Sequence, residues 1–232
     1  MTLLLHNIIP HLEATIHGVV ATTEIDTISI DSRSMQNNVN TLFFALVGPN
    51  YDAHQYIPEL IAQGVQNFVV TNIPEHLLNK ATFFVVEDTK VALQKFAIYY
   101  RSLFDFQVIG ITGSNGKTIV KEWLNFLLSP DYNIIRSPKS YNSQIGVPLS
   151  VIAINEKHNL GVFEAGISTV DEMQTLQKII QPTIGLLTNI GSAHDEGFEN
   201  IGEKIKEKLQ LFKDVDVLIY NKNKTIEQFL PS

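Results

Sequence analysis

The sequence predicts an α/β protein built as two consecutive units, residues 1–105 and 106–232. Three observations lead there. Short runs rich in β-branched and aromatic residues alternate with stretches of helical periodicity along the chain. A continuous apolar run, Val108, Ile109, Gly110 and Ile111, restarts the pattern near residue 106, as a central parallel strand covered on both faces does. The 232 residues, with 44% hydrophobic and 18% charged content, are enough to bury a core in more than one compact unit.

In the first unit, strands are predicted at 27–30, 42–46, 67–71 and 82–86, where such residues are concentrated between turn formers. Helices are predicted at 53–63, closed by Gly64 as a C-cap, and at 89–103, where Asp88 or Thr89 caps the start. In the second unit, a glycine-rich turn after the 108–111 strand leads into a helix. Its Val120, Trp123, Leu124, Leu127 and Leu128 fall at i, i+3, i+4, i+7 and i+8 and define an expected buried face. That helix ends before Ser129 and Pro130. Further strands at 161–163, 184–187 and 215–220, with helices at 170–180 and 201–212, give the order of a doubly wound parallel sheet. No internal repeat or long linker interrupts the chain, so a short connection is expected between the domains.

Composition excludes several functions. Seventeen Lys and Arg against 24 Asp and Glu give a net charge of -7, which argues against a general nucleic-acid-binding surface. With no cysteine there is no disulfide framework, thiolate metal site or cysteine nucleophile, and a reducing cytoplasm fits. The first basic residue is Arg33, so the charged lead of a secretory signal is missing and no signal peptide is expected. Every apolar run is far shorter than the roughly 18 to 20 residues that cross a bilayer as a helix, so no membrane insertion is expected.

The chemical centre is the run from Gly110 to Thr118, which reads Gly-Ile-Thr-Gly-Ser-Asn-Gly-Lys-Thr. Small residues such as Gly113, Ser114 and Gly116 let backbone N–H groups turn toward a polyphosphate, and the following helix presents its positive dipole end to the same anion. Thr112, Gly113, Ser114, Asn115, Gly116, Lys117 and Thr118 are therefore the expected nucleotide-binding residues. Lys117 would neutralise the outer phosphates and Thr118 would place its hydroxyl on Mg2+. The usual G-x-x-x-x-G-K-[ST] pattern needs glycine at 111, where this chain has Ile111, with Gly110 one residue too early. No G-x-G occurs, which disfavours a dinucleotide cofactor and hydride transfer.

A phosphoryl-transfer site also needs groups that hold its metal. Glu164 follows Gly161, Val162 and Phe163 at the carboxyl end of an apolar strand, where ligands gather in open α/β sheets; a solvated strand-end carboxylate fits the same spacing. His194 lies just beyond another apolar strand among small residues, where it would reach metal or phosphate or simply face solvent. Lys204, Lys206 and Lys208 share a helix with Glu203 and Glu207, opposite a stripe of Ile201, Ile205, Leu209 and Phe212. Mixed charge on such a face reads as solvation, and spacing singles out no one lysine. No H-E-x-x-H or G-x-S-x-G occurs, so a hydrolytic zinc site and serine-hydrolase chemistry are not expected.

Together these residues resemble the Mur ligase family, the ATP-dependent amide-forming enzymes of peptidoglycan synthesis. The family's phosphate loop, G-x-T-G-[ST]-x-G-K-[ST], is matched throughout by Gly110 to Thr118, which accounts for the offset glycine. Residues 140–148 resemble its N-N-x-x-G-x-P segment, 163–168 its E-x-G-x-S segment and 188–198 its T-N-x-x-x-A-H-x-x-x-F segment. Ile30 to Arg33, Leu42 to Leu46 with Gly48, and Asp52 to His54 resemble the branch that joins D-alanyl-D-alanine to UDP-N-acetylmuramoyl-tripeptide. The resemblance implies that ATP phosphorylates the terminal carboxylate of UDP-MurNAc-tripeptide and that the amine of D-Ala-D-Ala attacks the acyl phosphate. It implies a UDP-substrate domain over 1–105 and the first part of a P-loop-type, parallel-sheet ATP-binding domain over 106–232.

By position, the resemblance assigns the first Mg2+ to Thr118 and a second to the surroundings of Glu164 and His194. Lys208, fourteen residues after that histidine, falls at the place of a carbamylated lysine able to support the second metal. Lys117, Glu164, His194 and Lys208 are thus the expected catalytic set. Asn142 and Ser143 occupy a substrate-proximal segment, with Ser143 in place of a commoner asparagine; Ser32, Arg33, Asp52 and His54 match loops that contact the UDP-sugar. The family has a third, C-terminal domain, so this chain is expected to be a fragment inactive alone, and its 194–200 wording resembles versions fused to an alanine racemase. The alternatives are a folylpolyglutamate-synthase-like or cyanophycin-type ligase, and a non-catalytic nucleotide-binding module.

Overall fold

The computed structural model describes residues 2–18, 24–33, 39–191, 197–222 and 224–230. The chain divides into two compact units, Met1–Phe96 and Ala97–Ser232.

The first unit runs β1 (Leu3–Leu4), α1 (Leu5–Leu12), β2 (Thr15–His17), β3 (Glu24–Ile25), β4 (Thr27–Ser29) and β5 (Thr41–Phe44). A hairpin of β6 (Val47–Gly48) and β7 (Tyr51–Asp52) follows, then α2 (Ile57–Ala62), β8 (Asn67–Val70), β9 (Thr82–Val85) and α3 (Thr89–Ser102), whose last turns belong to the second unit. Its main sheet has the order β2-β9-β8-β5-β4, with β2 antiparallel to β9 and the rest parallel. Every residue of β5 and β8 is buried, because both sheet faces are covered. Phe43, Phe68 and Phe83 pack with Ala53, Ile57 and Leu60 on one face, while Phe44 meets Phe96 of α3 on the other.

The expected 53–63 helix is instead two pieces. Ala53–Tyr56 is a 3-10 turn and α2 begins only at Ile57. Pro58 is the cause: its ring cannot follow a preceding helical turn, and it has no N–H to donate, so it sits in the first turn of a new helix. Gly64 ends that helix with φ +98°, as its sequence position implies.

The second unit opens with β10 (Gln107–Thr112) and α4 (Lys117–Leu128), followed by β11 (Ile134–Arg136), α5 (Gly146–Ile152) and β12 (Leu160–Glu164). Then come α6 (Glu172–Ile180), β13 (Ile184–Leu187), α7 (Ile201–Leu209), a 3-10 turn Gln210–Phe212, β14 (Val217–Tyr220) and α8 (Lys224–Glu227). The sheet is parallel throughout, in the order β11-β12-β10-β13-β14. The chain therefore leaves β10 toward β12 on one side and returns to β13 on the other. That reversal opens a crevice at the carboxyl end of β10, where ligands bind in open α/β sheets.

Ile109 and Ile111 of β10 face α4, so Gly110 must face the opposite side. There an added Cβ would lie 2.9 Å from Pro182 and close to Leu211, and one on the neighbouring Gly185 would lie 2.4 Å from Phe212. Gly110 is thus a packing glycine that lets the 210–212 turn lie flat on the sheet, which explains why it stands one residue before a phosphate-loop position.

The buried face of α4 differs from the expected one. Val120, Leu124 and Leu128 pack on β10 and β12, but Trp123 and Leu127 are exposed, at 67% and 66%. The face is rotated toward Lys121, which is fully buried. Its ammonium finds acceptors inside, so a lysine occupies the stripe that periodicity alone gives to Trp123 and Leu127. On α7 the expected solvated lysine face is also corrected: Lys206 is exposed, but Lys204 and Lys208 are buried, while Ile201 of the expected apolar stripe is exposed.

Candidate nucleotide and metal site

The crevice is built from three strand ends. The loop 113–116 leaves β10, Glu164 closes β12, and Thr188 with Asn189 follows β13. Thr188 and Asn189 scaffold the loop. Ser114 N–H donates to Asn189 O at 2.8 Å, Asn115 N–H to Asn189 Oδ1 at 2.8 Å, and the Thr188 hydroxyl to Asn115 O at 2.6 Å. The Ser114 hydroxyl exchanges hydrogen bonds with Gly191 N–H and Gly191 O. The amides of Ser114 and Asn115, expected to face phosphate, are therefore committed inside the protein. The donors turned to an anion are those at the start of α4, from Gly116 through Thr118, because the first turn of a helix has no i−4 acceptors for its N–H groups.

Gly113 is required by both space and conformation. Its φ is +146°, and a Cβ there would lie 2.0 Å from Thr188 Oγ1. Gly116, at φ +83°, makes the left-handed turn into α4 in open space. Thr112 is buried and donates its hydroxyl to Ala165 O at 2.8 Å, so its side chain ties β10 to the segment after β12 rather than facing the crevice. Lys117 folds back and donates to Gly113 O at 2.8 Å, with its ammonium inside the loop; burial lowers its pKa, while Glu164 nearby raises it.

Glu164 is fully buried. Its Oε2 accepts the Thr118 hydroxyl at 3.0 Å, its N–H donates to Ser137 Oγ at 3.1 Å, and its Oε1 lies 2.9 Å from Lys121 Nζ. The Lys121 N–H bonds are directed at Ser137 O, 2.8 Å away, and Lys139 O, so the ion pair leaves Oε1 without a directed hydrogen bond. A buried carboxylate with an open lone pair beside a threonine hydroxyl is a hard-oxygen donor set that fits Mg2+ shared with phosphate oxygens. Among the described residues no group of three or more His, Asp or Glu is placed to hold a metal by itself, so phosphate would have to complete the shell. Lys121 was missed from sequence; its signal is its position one helical turn after Lys117, on the same face.

Lys208 lies on α7 and is buried. Burial, then the positive charges of Lys117 and Lys204, bring its pKa down to about 8. Lys117 and Lys208 therefore share one electrostatic environment. His194 lies outside the described residues. Asn142 contacts the Glu164 segment through its carbonyl, which accepts Gly166 N–H at 2.8 Å, and its side chain abuts Gly166. Ser143 Oγ accepts Gly146 N–H at 3.1 Å and so caps α5.

In the first unit, Arg33 is exposed and forms a two-point ion pair with Asp31, with Nε and Nη2 each 2.9 Å from a carboxylate oxygen. Asp31, Arg33, Tyr51, Tyr56 and Asp52 all act on the phenol of Tyr51 or on one another, which gathers them at one end of this sheet. Ser32 lies between Asp31 and Arg33 and is half-buried. His54 differs from an expected ligand contact. It is buried, and Thr71 N–H donates to its Nε2 at 3.0 Å, which places the ring proton on Nδ1, 2.6 Å from Asp52 Oδ1. Both ring nitrogens are spent on the protein, and His54 fastens the β7 end to β8.

The profile of the Mur ligase middle domain matches residues 111–231, more than half of the chain. A UDP-N-acetylmuramoyl-tripeptide–D-alanyl-D-alanine ligase of Haemophilus influenzae is 32% identical over 194 residues, covering 82% of this chain and 42% of the relative. The ligase of the same description from Synechocystis is 36% identical over 170 residues, covering 73% and 37%. A crystal structure of MurF from Acinetobacter baumannii superposes with a TM-score of 0.90 at 26% identity, over 99% of this chain and 51% of that one. The MurF ligase of Thermotoga maritima in complex with ADP gives 0.77 at 25% identity, over 88% and 48%. The chain thus spans less than half the length of these curated relatives and about half that of the solved chains. No helix among the described residues is long and apolar enough to cross a membrane. With the loop, the strand-end glutamate and the middle-domain profile in agreement, the chain belongs to the Mur ligase family.

Proposed function

We propose that this chain supplies the ATP-binding and UDP-precursor-binding parts of an amide ligase that joins D-Ala-D-Ala to UDP-MurNAc-tripeptide through an acyl phosphate. The observation that carries this reading is the Thr118 hydroxyl 3.0 Å from Glu164 at the crevice of a parallel sheet, with Lys117 inside the adjoining loop. The α4 N-terminus holds the triphosphate by its free amides, and Lys117, released from Gly113 O, offsets charge on the transferring phosphoryl group. Thr118, Glu164 and, by its motif, His194 would hold Mg2+, which supplies Lewis-acid stabilisation of the phosphate oxygens.

The reaction needs no protein nucleophile. Asn142, packed on the Glu164 segment, places the tripeptide-proximal loop beside the crevice. Lys208 has the lowered pKa that keeps some of its amine neutral near pH 8, the form that combines with CO2 to give a carbamate. In the first unit, Arg33, Ser32 and the Tyr51 and Tyr56 rings, 6.1 Å apart, form the UDP-sugar end, with Asp52 and His54 shaping it from behind. The substrates, ATP and a nucleotide-linked sugar, place the activity in the cytoplasm. The chain covers about half the length of its relatives, and on this reading the 232 residues alone are expected to bind nucleotide weakly and not to ligate.

The test is ligation by the full open reading frame that encodes this chain. UDP-MurNAc-pentapeptide and ADP should form only when UDP-MurNAc-tripeptide and D-Ala-D-Ala are both present, and Lys117→Ala should abolish turnover. Turnover with a folate substrate, or intact turnover in the Lys117→Ala variant, would contradict the proposal.

A further inference from the structure

Lys121 is fully buried on α4, one turn after Lys117, and has no part in the phosphoryl transfer described above. Its flank of the helix faces the ends of β11 and β12. There the ammonium donates to Ser137 O at 2.8 Å and to Lys139 O, and it lies 2.9 Å from Glu164 Oε1. Glu122 Oε1 stands 3.2 Å from the same ammonium, and the other Glu122 oxygen meets Arg136 Nη2. One cation thus reaches the side chain of a strand-end carboxylate and the backbone of the turn beside it.

That turn needs holding. Lys139 has φ +50°, the left-handed region that a residue with a Cβ enters only at a cost, and its carbonyl is one of the two that Lys121 grips. Ser137 is buried, and its Oγ accepts the Glu164 N–H at 3.1 Å. Three residues past Lys139, the carbonyl of Asn142 accepts Gly166 N–H at 2.8 Å. The 137–142 segment is therefore tied to residues 164–166 at both of its ends, and Lys121 bonds the turn and pairs with Glu164 from the same atom. A neutral side chain of equal length would take the donor from two carbonyls and the charge from beside Glu164. We infer that Lys121 is a positioning residue that fixes the Asn142 segment against Glu164, so that one buried cation sets both the tripeptide-proximal loop and the phosphate site. This rests on the reading of Asn142 and Glu164 given above. Lys121 acts through those two residues and the turn between them.

The chain has no cysteine, so Lys121→Cys introduces a unique thiol. Alkylation in urea with bromoethylamine, followed by refolding, restores an ammonium at the lysine position, and bromopropane gives a neutral side chain of the same length. Amide hydrogen exchange measured by NMR compares both forms with the parent. In the S-propyl form the N–H groups of Glu164 and Gly166 should exchange faster, relative to those of β10, by about tenfold or more, the scale of a lost hydrogen bond to a charged group. The S-aminoethyl form should recover the parent pattern. Metal-free ADP affinity should stay within about twofold of the parent in both, because the α4 amides are untouched. In the full open reading frame, Lys121→Met should raise KM for UDP-MurNAc-tripeptide by about tenfold and change that for ATP less. Equal exchange in the two alkylated forms, an even loss of protection across the sheet, an S-propyl form that does not fold, or an unchanged KM for UDP-MurNAc-tripeptide would overturn the inference. A parent reading frame that does not ligate would overturn the proposed reaction, and the exchange pattern would still decide whether Lys121 fixes the segment.

Discussion

Replacing Lys208 by methionine tests the electrostatics of the site through stability alone. The ammonium has a pKa of about 8 in the folded chain against an ordinary value of 10.5, chiefly because it is buried. At 1.36 kcal/mol per pH unit, that gap amounts to about 3 kcal/mol of destabilisation when the amine is protonated. The sign follows from proton counts. Between about pH 8 and 10.5 the unfolded chain holds a proton that the folded chain has released, so stability rises with pH across that window. Below pH 8 the full cost is present. Lys208→Met removes the titrating group, so it should exceed the parent by about 3 kcal/mol at pH 7 and by about 1 kcal/mol at pH 10 from this source. Methionine packing adds a part that does not vary with pH. The assay is urea unfolding of parent and variant in CO2-free buffer across pH 7 to 10.5. A difference that fails to shrink as pH rises would show that Lys208 is not a buried ammonium with a lowered pKa.

Two further substitutions probe the scaffolds. Gly113→Ala places a methyl 2.0 Å from Thr188 Oγ1 at φ +146° and should cost about 2–4 kcal/mol, whereas Gly116→Ala, in open space, should cost only about 1 kcal/mol; calorimetric melting of both variants checks the contrast. His54→Ala leaves Thr71 N–H without its acceptor and opens a cavity, for an expected loss of about 2–4 kcal/mol in urea unfolding; a near-neutral result would mean that His54 is not the fastener described.

The inner strands of both sheets are legible because burial on two faces demands runs such as Val108 to Ile111, whereas the terminal strands β2 and β11, each three residues long, give no such run and are not read from the sequence. The loop was legible as well, since Gly113 and Gly116 meet conformational demands that few residues satisfy. Which side chains face the crevice was harder to read. Lys121 and Lys204 have the composition of solvated helix faces, and the tertiary positions of Ser137 O, Glu164 and Gly191 O turn them inward, while Lys208 is buried on the same helix as Lys204. Periodicity cannot weigh a lysine that finds buried acceptors, so it assigned Trp123 and Leu127 to the core in place of Lys121. His54 misled for a related reason: a histidine in a loop motif looks like a ligand contact until Thr71, seventeen residues away, is seen to occupy its second nitrogen. Helix α1 escaped notice because it is short and contains Pro10, although Leu5, Ile8 and Leu12 are buried along it.

In the proposed site Thr118 and Glu164 hold a divalent cation against phosphates bound at the start of α4. Calorimetric titration of the 232-residue chain with ADP, with and without Mg2+, in the parent and in Glu164→Gln measures it directly. Mg2+ should tighten ADP binding to the parent by about tenfold or more, on the scale of a lost charge-assisted contact. Glu164→Gln should lose that gain and keep its metal-free affinity within about twofold. A variant that retains the whole Mg2+ effect, or a parent that binds no ADP, would contradict the account.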